Sequence, residues 1–298
     1  MARGHFAKAE KQAASVMKEM QGQGNAIESV GTARNYEQAL KSCAEYLKEY
    51  KLGSLREITP NIATQYLHIR ATEVSQKTLN MDRQALQSMM QNVTHQLSPS
   101  QSLEIVKSER ETIEKSRAYS NEQVQRIISH QSDKHALTTQ ICHQAGLRAH
   151  EMFTLRPVDE QKASPREVHP QKFSHLAESK TYTVNGKGGL IREVKIPIEL
   201  AEKLEARRFQ EPQKVTDRGV FYTSHYDVAG GLNFSSAFSK ASQRGLGFSH
   251  GAHGLRHSYA QDRFEKLSWN IKERDDVLKI VSQELGHFRP EITEVYLR

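Results

Sequence analysis

Two arginines, two histidines, a lysine and a tyrosine occur in this sequence in settings that suit joint chemistry on a phosphate. Upstream stands Ala145-Gly-Leu-Arg148-Ala-His-Glu151. Far downstream come His253-Gly-Leu-Arg256, Leu285-Gly-His287 and Tyr296, and between the two regions lies Gly186-Lys187-Gly188. Guanidinium groups grip phosphate oxygens with planar forks, and imidazole and ammonium groups add donors. Gathered in one pocket, such a set suits a pentacoordinate phosphorane better than a tetrahedral phosphodiester, because preorganised donors count most where charge develops. A tyrosine beside it is a nucleophile that works without a metal. A free phenol has a pKa of about 10, is mostly protonated at neutral pH, and needs such positive surroundings in order to attack.

Taken singly, each residue has a plain structural reading. Arg148 reads as a surface arginine, Lys187 as a solvated turn lysine, His287 as a helix-terminus histidine and Tyr296 as a core side chain. The Gly-Lys-Gly turn lacks the glycine spacing and the following Ser or Thr of a phosphate-binding P-loop. His253 and His257, four apart, suit a zinc site by spacing, but zinc-protease helices carry Glu where Gly254 stands here.

As an ordered set, the residues resemble the tyrosine recombinases, also called the phage integrase family. That family's pattern is an arginine in a Gly-Leu-Arg turn with an acidic residue three positions on, a hairpin lysine, a His-x-x-Arg, a Leu-Gly-His, and a tyrosine nine positions beyond that histidine. Here these fall on Arg148, Glu151, Lys187, His253, Arg256, His287 and Tyr296, across roughly residues 120 to 298. The resemblance implies a mainly α fold with a small antiparallel β-sheet, made of an N-terminal helical bundle and a mixed α+β catalytic domain. It implies a site-specific recombinase in which Tyr296 attacks a DNA phosphodiester and leaves a 3′-phosphotyrosyl enzyme and a free 5′ hydroxyl. Arg148, Arg256, His253 and His287 then hold the nonbridging oxygens, His253 also takes the phenolic proton, and Glu151 supports them. Lys187 protonates the departing 5′ oxygen, with Lys180 and Lys195 as lesser candidates.

No cofactor is implied, because the phosphotyrosine conserves the ester bond. The implied partners are double-stranded DNA recombination sites, a homotetramer on that DNA, and an accessory directionality factor. Only Leu297 and Arg298 follow the tyrosine, where family members usually continue into a segment that docks on a neighbouring subunit. Integration or excision of a mobile genetic element is the first reading, and a Xer-type or integron-type recombinase the second. Three alternatives lie outside: a type IB topoisomerase, a DNA-binding regulator with a degenerate pocket, and a metallohydrolase sensitive to EDTA.

The positioning elements follow from periodicity and punctuation. Residues 1–25 read as an N-terminal helix or arm, 26–116 as a helical core-binding domain that clamps DNA, and 117–298 as the catalytic domain. Tyr36, Leu40, Cys43, Leu47 and Tyr50 share one helical face, Thr59-Pro60 starts a second helix, and Leu79, Leu86, Met89 and Met90 mark a third. Lys48, Lys77 and Arg83 are candidate phosphate contacts there. Residues 100–117 read as a charged linker with some helical character and no buried role. Ser120-Asn-Glu-Gln123 is a capping box, and a helix from Ala136 ends at Gly146, setting Arg148 in a turn. Residues 156–177 look like an insertion. Two β-branched runs, 181–184 and 190–196, flank the Asn185-to-Gly189 turn as a hairpin. A helix over 199–209, a short strand over 219–222 and a helix over 233–244 follow, the last offering Ser239 and Lys240 to DNA. Val277 to Leu285 forms a buried helix leading to His287, and Tyr296 falls in a short terminal helix.

Composition is consistent with an anionic partner without naming one. Among 298 residues, 42 Lys and Arg against 35 Asp and Glu give a net charge of +7, and the mean hydropathy is −0.69. Cys43 and Cys142, far apart, read as reduced buried thiols. No signal-peptide core and no membrane-length apolar run occur, so the expected location is the cytoplasm, at the nucleoid.

Overall fold

The computed structural model describes residues 7–22, 27, 30–111 and 115–298, except for the side chain of Lys187. The chain divides into two compact units, Met1–Ile113 and Glu114–Arg298. The class is the expected one, mainly α with small antiparallel sheets. Among the described residues, no helix is long and apolar enough to cross a membrane.

The first unit holds α1 (Ala9–Gly22), α2 (Val30–Glu49), α3 (Pro60–Glu73) and α4 (Gln76–Asn92). Thr59 caps α3, its hydroxyl accepting from Ile62 N at 3.4 Å, with Pro60 in the first turn. Leu40, Cys43 and Leu47 of α2 meet Leu86, Met89 and Met90 of α4 in one core. Each such side chain contributes about 2 kcal/mol when fully buried. Helix α1 is a member of this core and not a separate arm, because Ala13, Val16, Met17 and Met20 are buried in it.

The stretch expected to be a linker is corrected in two respects. Residues 100–111 carry no helix, and Leu103 and Val106 are buried in the bundle core. The backbone there is satisfied by side chains of α4. Gln76 donates to Val106 O at 3.0 Å and Arg83 to Leu103 O at 3.3 Å, while Leu103 N donates to Gln87 Oε1 at 3.2 Å. Two apolar anchors three residues apart were enough to bury a strap that its charges made look solvated.

In the second unit, Ser120 and Gln123 form the capping box that starts α5 (Asn121–Ile128). Helix α6 (Asp133–Ala145) stops at Gly146, whose φ of 61° is left-handed. A 3₁₀ turn, Glu151–Thr154, leads to a sheet of β1 (Arg156–Pro157), β2 (Ser179–Asn185) and β3 (Ile191–Pro197) in sequence order. Tyr182, Val184, Val194 and Ile196 face the core. Next come α7 (Ile198–Glu205), the hairpin β4 (Arg208–Asp217) and β5 (Val220–Tyr226), and α8 (Gly231–Leu246). Here the expectation is corrected again: α7 ends at Glu205 and a ten-residue strand follows, where the reading had a helix to 209 and a single short strand. Most of β4 is exposed on both faces, so it lacks the apolar alternation that marks a strand. The unit closes with α9 (Gly254–Ser268), α10 (Arg274–Leu285) and α11 (Pro290–Glu294).

The segment between β1 and β2 docks on the last helices. His169 N donates to Gln283 Oε1 at 2.7 Å, Phe173 N to Glu284 Oε1 at 2.9 Å, and Arg263 Nη2 to Ser174 O at 2.9 Å.

Candidate active site

Arg148 emerges from the turn that ends α6. Any Cβ on Gly146 would lie 2.6 Å from the Tyr259 ring, so glycine is required by both conformation and space. Three residues on, Glu151 is fully buried and holds the turn together. It accepts from Arg148 N at 2.8 Å and from Arg148 Nη1 at 2.6 Å. Its second oxygen also accepts from Arg192 Nη2 of β3 at 2.8 Å. Burial alone would raise this carboxyl, but the charges of Arg192, Arg256 and Arg148 outweigh that and lower it to about 2.

Helix α9 begins at His253 and places Arg256 one turn inside, completely buried. Its guanidinium donates to Gly146 O and to Leu285 O, joining the Arg148 turn to the end of α10. Burial, then repulsion from Arg148, lowers it to about 10, so it stays charged at neutral pH. Arg256 Nη2 also lies 3.1 Å from His287 Nε2. A guanidinium has no acceptor, so Nε2 must be the acceptor and His287 the neutral tautomer protonated on Nδ1. Burial and the charges of Arg256 and Arg148 hold its pKa near 3.

Tyr296 follows α11 and is 7% exposed. Its hydroxyl lies 3.2 Å from His253 Nε2 and 3.4 Å from His287 Nε2. The Arg256 guanidinium carbon sits 5.8 Å from the ring centroid, and the His257 ring lies 4.6 Å away at 36°. Burial, then Arg117, pushes His257 down to about 4. His253 keeps solvent access, yet burial on its inner side and the Arg256 charge shift it well below the ordinary imidazole range. At neutral pH the phenol therefore has two neutral imidazole nitrogens as neighbours and permanent positive charge nearby. That arrangement can accept a proton from the phenol and receive a phosphate anion.

Arg148, Glu151, His253, Arg256, His287 and Tyr296 thus come together in this unit. Lys187 opens the turn between β2 and β3, which Gly186 holds by donating to Leu190 O at 2.7 Å. The Lys187 side chain lies outside the described residues. Of its lesser alternatives, Lys195 is engaged with Thr181 Oγ1 at 2.6 Å, and Lys180 is exposed on β2. Ser239 and Lys240 lie on α8, and Lys48 and Lys77 are exposed on α2 and α4. Arg83 is partly buried, and its guanidinium donates to Gln87 at 3.0 Å and to Leu103 O at 3.3 Å, bracing the strap. No cluster of three or more His, Cys, Asp or Glu side chains suited to a metal occurs among the described residues, the His253 and His257 pair included.

Sequence reasoning missed Arg192, Glu284 and the place of His257 against the tyrosine ring. A signal for Arg192 existed. Val194 and Ile196 face the core, and period two places Arg192 on that same face, where a buried cation demands a carboxylate.

No protein-family model matches the sequence, and no curated protein matches it. Solved structures do match. A XerH site-specific recombinase bound to palindromic difH substrate in a post-cleavage complex aligns with TM-score 0.60 at 15% identity, over 98% of this chain and 93% of that one. A lambda integrase dimer on a COC′ core site aligns with TM-score 0.59 at 15% identity, over 97% and 94%. The Tn1549 transposon integrase with transposon right end DNA aligns with TM-score 0.53 at 13% identity, over 98% and 95%. At these identities the likeness is one of fold, and it extends over nearly the whole chain.

Proposed function

We propose that this chain, which has the tyrosine recombinase fold, is a site-specific DNA recombinase that cuts and rejoins strands through a 3′-phosphotyrosyl intermediate. The observation that carries the reading is the Tyr296 hydroxyl, set 3.2 Å from one neutral imidazole nitrogen and 3.4 Å from another, beside a buried arginine. In the proposed step the Tyr296 oxygen attacks phosphorus in line while its proton passes to His253 Nε2. The bond from phosphorus to the 5′ oxygen breaks, and that oxygen takes a proton from Lys187. Arg148 and Arg256 hold the nonbridging oxygens, each such donor being worth about 3 kcal/mol in the transition state. An arriving phosphate takes the Arg256 donor that His287 Nε2 now accepts. Glu151 fixes the direction of Arg148.

Attack by a 5′ hydroxyl from a second strand reverses the sequence of bonds and joins the strands anew. Paired exchanges between two duplexes call for four protomers, and among solved structures of this fold is a lambda integrase tetramer bound to a Holliday junction. The chain then acts on chromosomal or mobile-element DNA in the cytoplasm. Mobile-element integration or excision is the first assignment and Xer-type resolution the second; an accessory factor that sets direction completes the proposal.

The test is a nicked suicide duplex carrying the native site, incubated with wild-type protein and with Tyr296→Phe. A covalent protein–DNA adduct only in the wild type supports the scheme. Its absence from both, with DNA bound, leaves a binding regulator in its place, and relaxation of supercoils by the isolated monomer without strand exchange points to a topoisomerase.

A further inference from the structure

Two turns carry the residues of the proposed reaction: the turn after α6 with Arg148, and the turn after α10 with His287. Helix α10 ends in carbonyls that have no partner within the helix, and two of them, from consecutive residues, are taken by arginines of other elements. Leu285 O accepts from Arg256, which also reaches Gly146 O of the Arg148 turn. Glu284 O accepts from Arg192 Nη1 at 2.8 Å, and Arg192 Nη2 reaches Glu151 of the same Arg148 turn at 2.8 Å. Arg192 is 3% exposed. Its stem lies against Gly286, where a Cβ would come within 2.4 Å of Arg192 Cδ, so the glycine in Leu285-Gly-His287 is the space this arginine occupies.

We infer that Arg192 is a positioning residue for the strand-cleavage reaction, a fork that fixes the spacing between the Arg148 turn and the His287 turn without touching the DNA phosphate itself. The inference rests on the recombinase reading. Arg256 spans the same two turns but also faces Tyr296 and His287, whereas the hydrogen bonds of Arg192 go to Glu284 O and Glu151. A lysine at 192 keeps the charge and cannot make both bonds from one planar group. Glutamine removes the charge as well. His287 is faced by Arg256 and His253 from α9, Arg148 and Arg192 from the α6 turn and β3, and Tyr296 beyond α11, all but Tyr296 pushing its protonation to lower pH.

The experiment is single-turnover cleavage of the suicide duplex by wild type, Arg192→Lys and Arg192→Gln, with DNA affinity and melting temperature measured on each. Both variants are expected to bind DNA like wild type and to cleave on the order of tenfold more slowly or worse, since sub-ångström misplacement of reacting groups is costly. The acid limb of the rate profile, set by His253 as the proton acceptor, is expected to stay in place in both variants, so that the loss shows in the cleavage rate and not in affinity or pH dependence. Wild-type rates in both variants overturn the inference. So does a melting transition lost even in Arg192→Lys, because the residue is then needed for folding and not for placement. Failure of the wild type to form an adduct sinks the recombinase reading instead, and the two failures are distinct.

Discussion

The Tyr296 hydroxyl lies 3.2 Å from His253 Nε2, and the two side chains reach each other across 43 residues of sequence. Burial and the Arg256 charge keep His253 neutral at physiological pH, and in the tautomer protonated on Nδ1 its Nε2 lone pair faces the phenol. Replacing His253 with Ala is expected to slow adduct formation by about 100-fold or more, the usual worth of a positioned proton acceptor. Binding of the same DNA is expected to change little. Single-turnover cleavage alongside an affinity measurement checks this, and an unchanged rate would remove His253 from the mechanism.

His257 gives the protein a stability that depends on pH in a defined window. Folded, it titrates near 4, while a free imidazole titrates near 6.5. Above 6.5 it is neutral in both states and its contribution is complete. As the pH falls from 6.5 toward 4, the unfolded chain takes up the proton first, and stability is lost, on the order of 3 kcal/mol at most. Melting temperature is expected to fall through that window, and less steeply in His257→Phe. Glu151 acts in a separate window, since its carboxyl is held near 2 and its stabilisation is lost only as the pH drops from the ordinary carboxylate range toward 2. A wild-type melting temperature flat from pH 6.5 to 4 would contradict the assignment.

Gly286 has a φ of 73° as well as the Arg192 stem in the place of its absent side chain. Gly286→Ala is expected to lower stability by about 1 to 3 kcal/mol from backbone strain and overpacking together. Because the displaced groups lead directly to His287, cleavage is expected to slow more than melting alone accounts for. Urea unfolding and cleavage rates measured at a temperature where the variant is fully folded separate the two effects.

Glu284 is one of the points at which the segment between β1 and β2 reaches the last helices. Its carboxylate accepts from Arg263 at 2.8 and 2.9 Å, from the Tyr259 hydroxyl at 2.9 Å and from Phe173 N at 2.9 Å. Glu284→Ala leaves the buried Arg263 charge uncompensated, and a loss of about 3 to 5 kcal/mol is expected. Limited proteolysis is expected to cut within residues 160–178 faster in this variant. Equal proteolysis of wild type and variant would mean that Glu284 does not hold this segment.

What could be read from the sequence follows from how local each cause is. Gly146 stops α6 through its own conformation, and the helical period before it places Arg148 in the turn. The capping box at Ser120 and the Thr59-Pro60 start are equally local, as is the hairpin around Gly186. Arg192 was hidden because its partners, Glu151 and the carbonyl of Glu284, lie 41 and 92 residues away, and a charged residue in a β-branched run looks solvated until its face is known. Strand β4 was hidden because nearly all of it is exposed, leaving no alternation to read. The strap around Leu103 was misread because its burial is secured by side chains of α4, which nothing in the strap's own sequence announces.

Arg83 and Lys77 lie on the same helix and are both candidate phosphate contacts, but their surroundings differ. Lys77 is exposed, while Arg83 is partly buried and its guanidinium donates to Gln87 and to Leu103 O. If Lys77 meets a DNA phosphate, Lys77→Gln reduces the slope of log affinity against log salt by about 1, with stability unchanged. Arg83→Met leaves that slope as it is, and instead lowers the unfolding free energy by about 1 to 2 kcal/mol, because Leu103 O loses its donor. Salt titrations of DNA binding paired with denaturant unfolding resolve the two residues. A reduced slope for Arg83→Met without loss of stability would mean that this arginine leaves the strap to meet DNA.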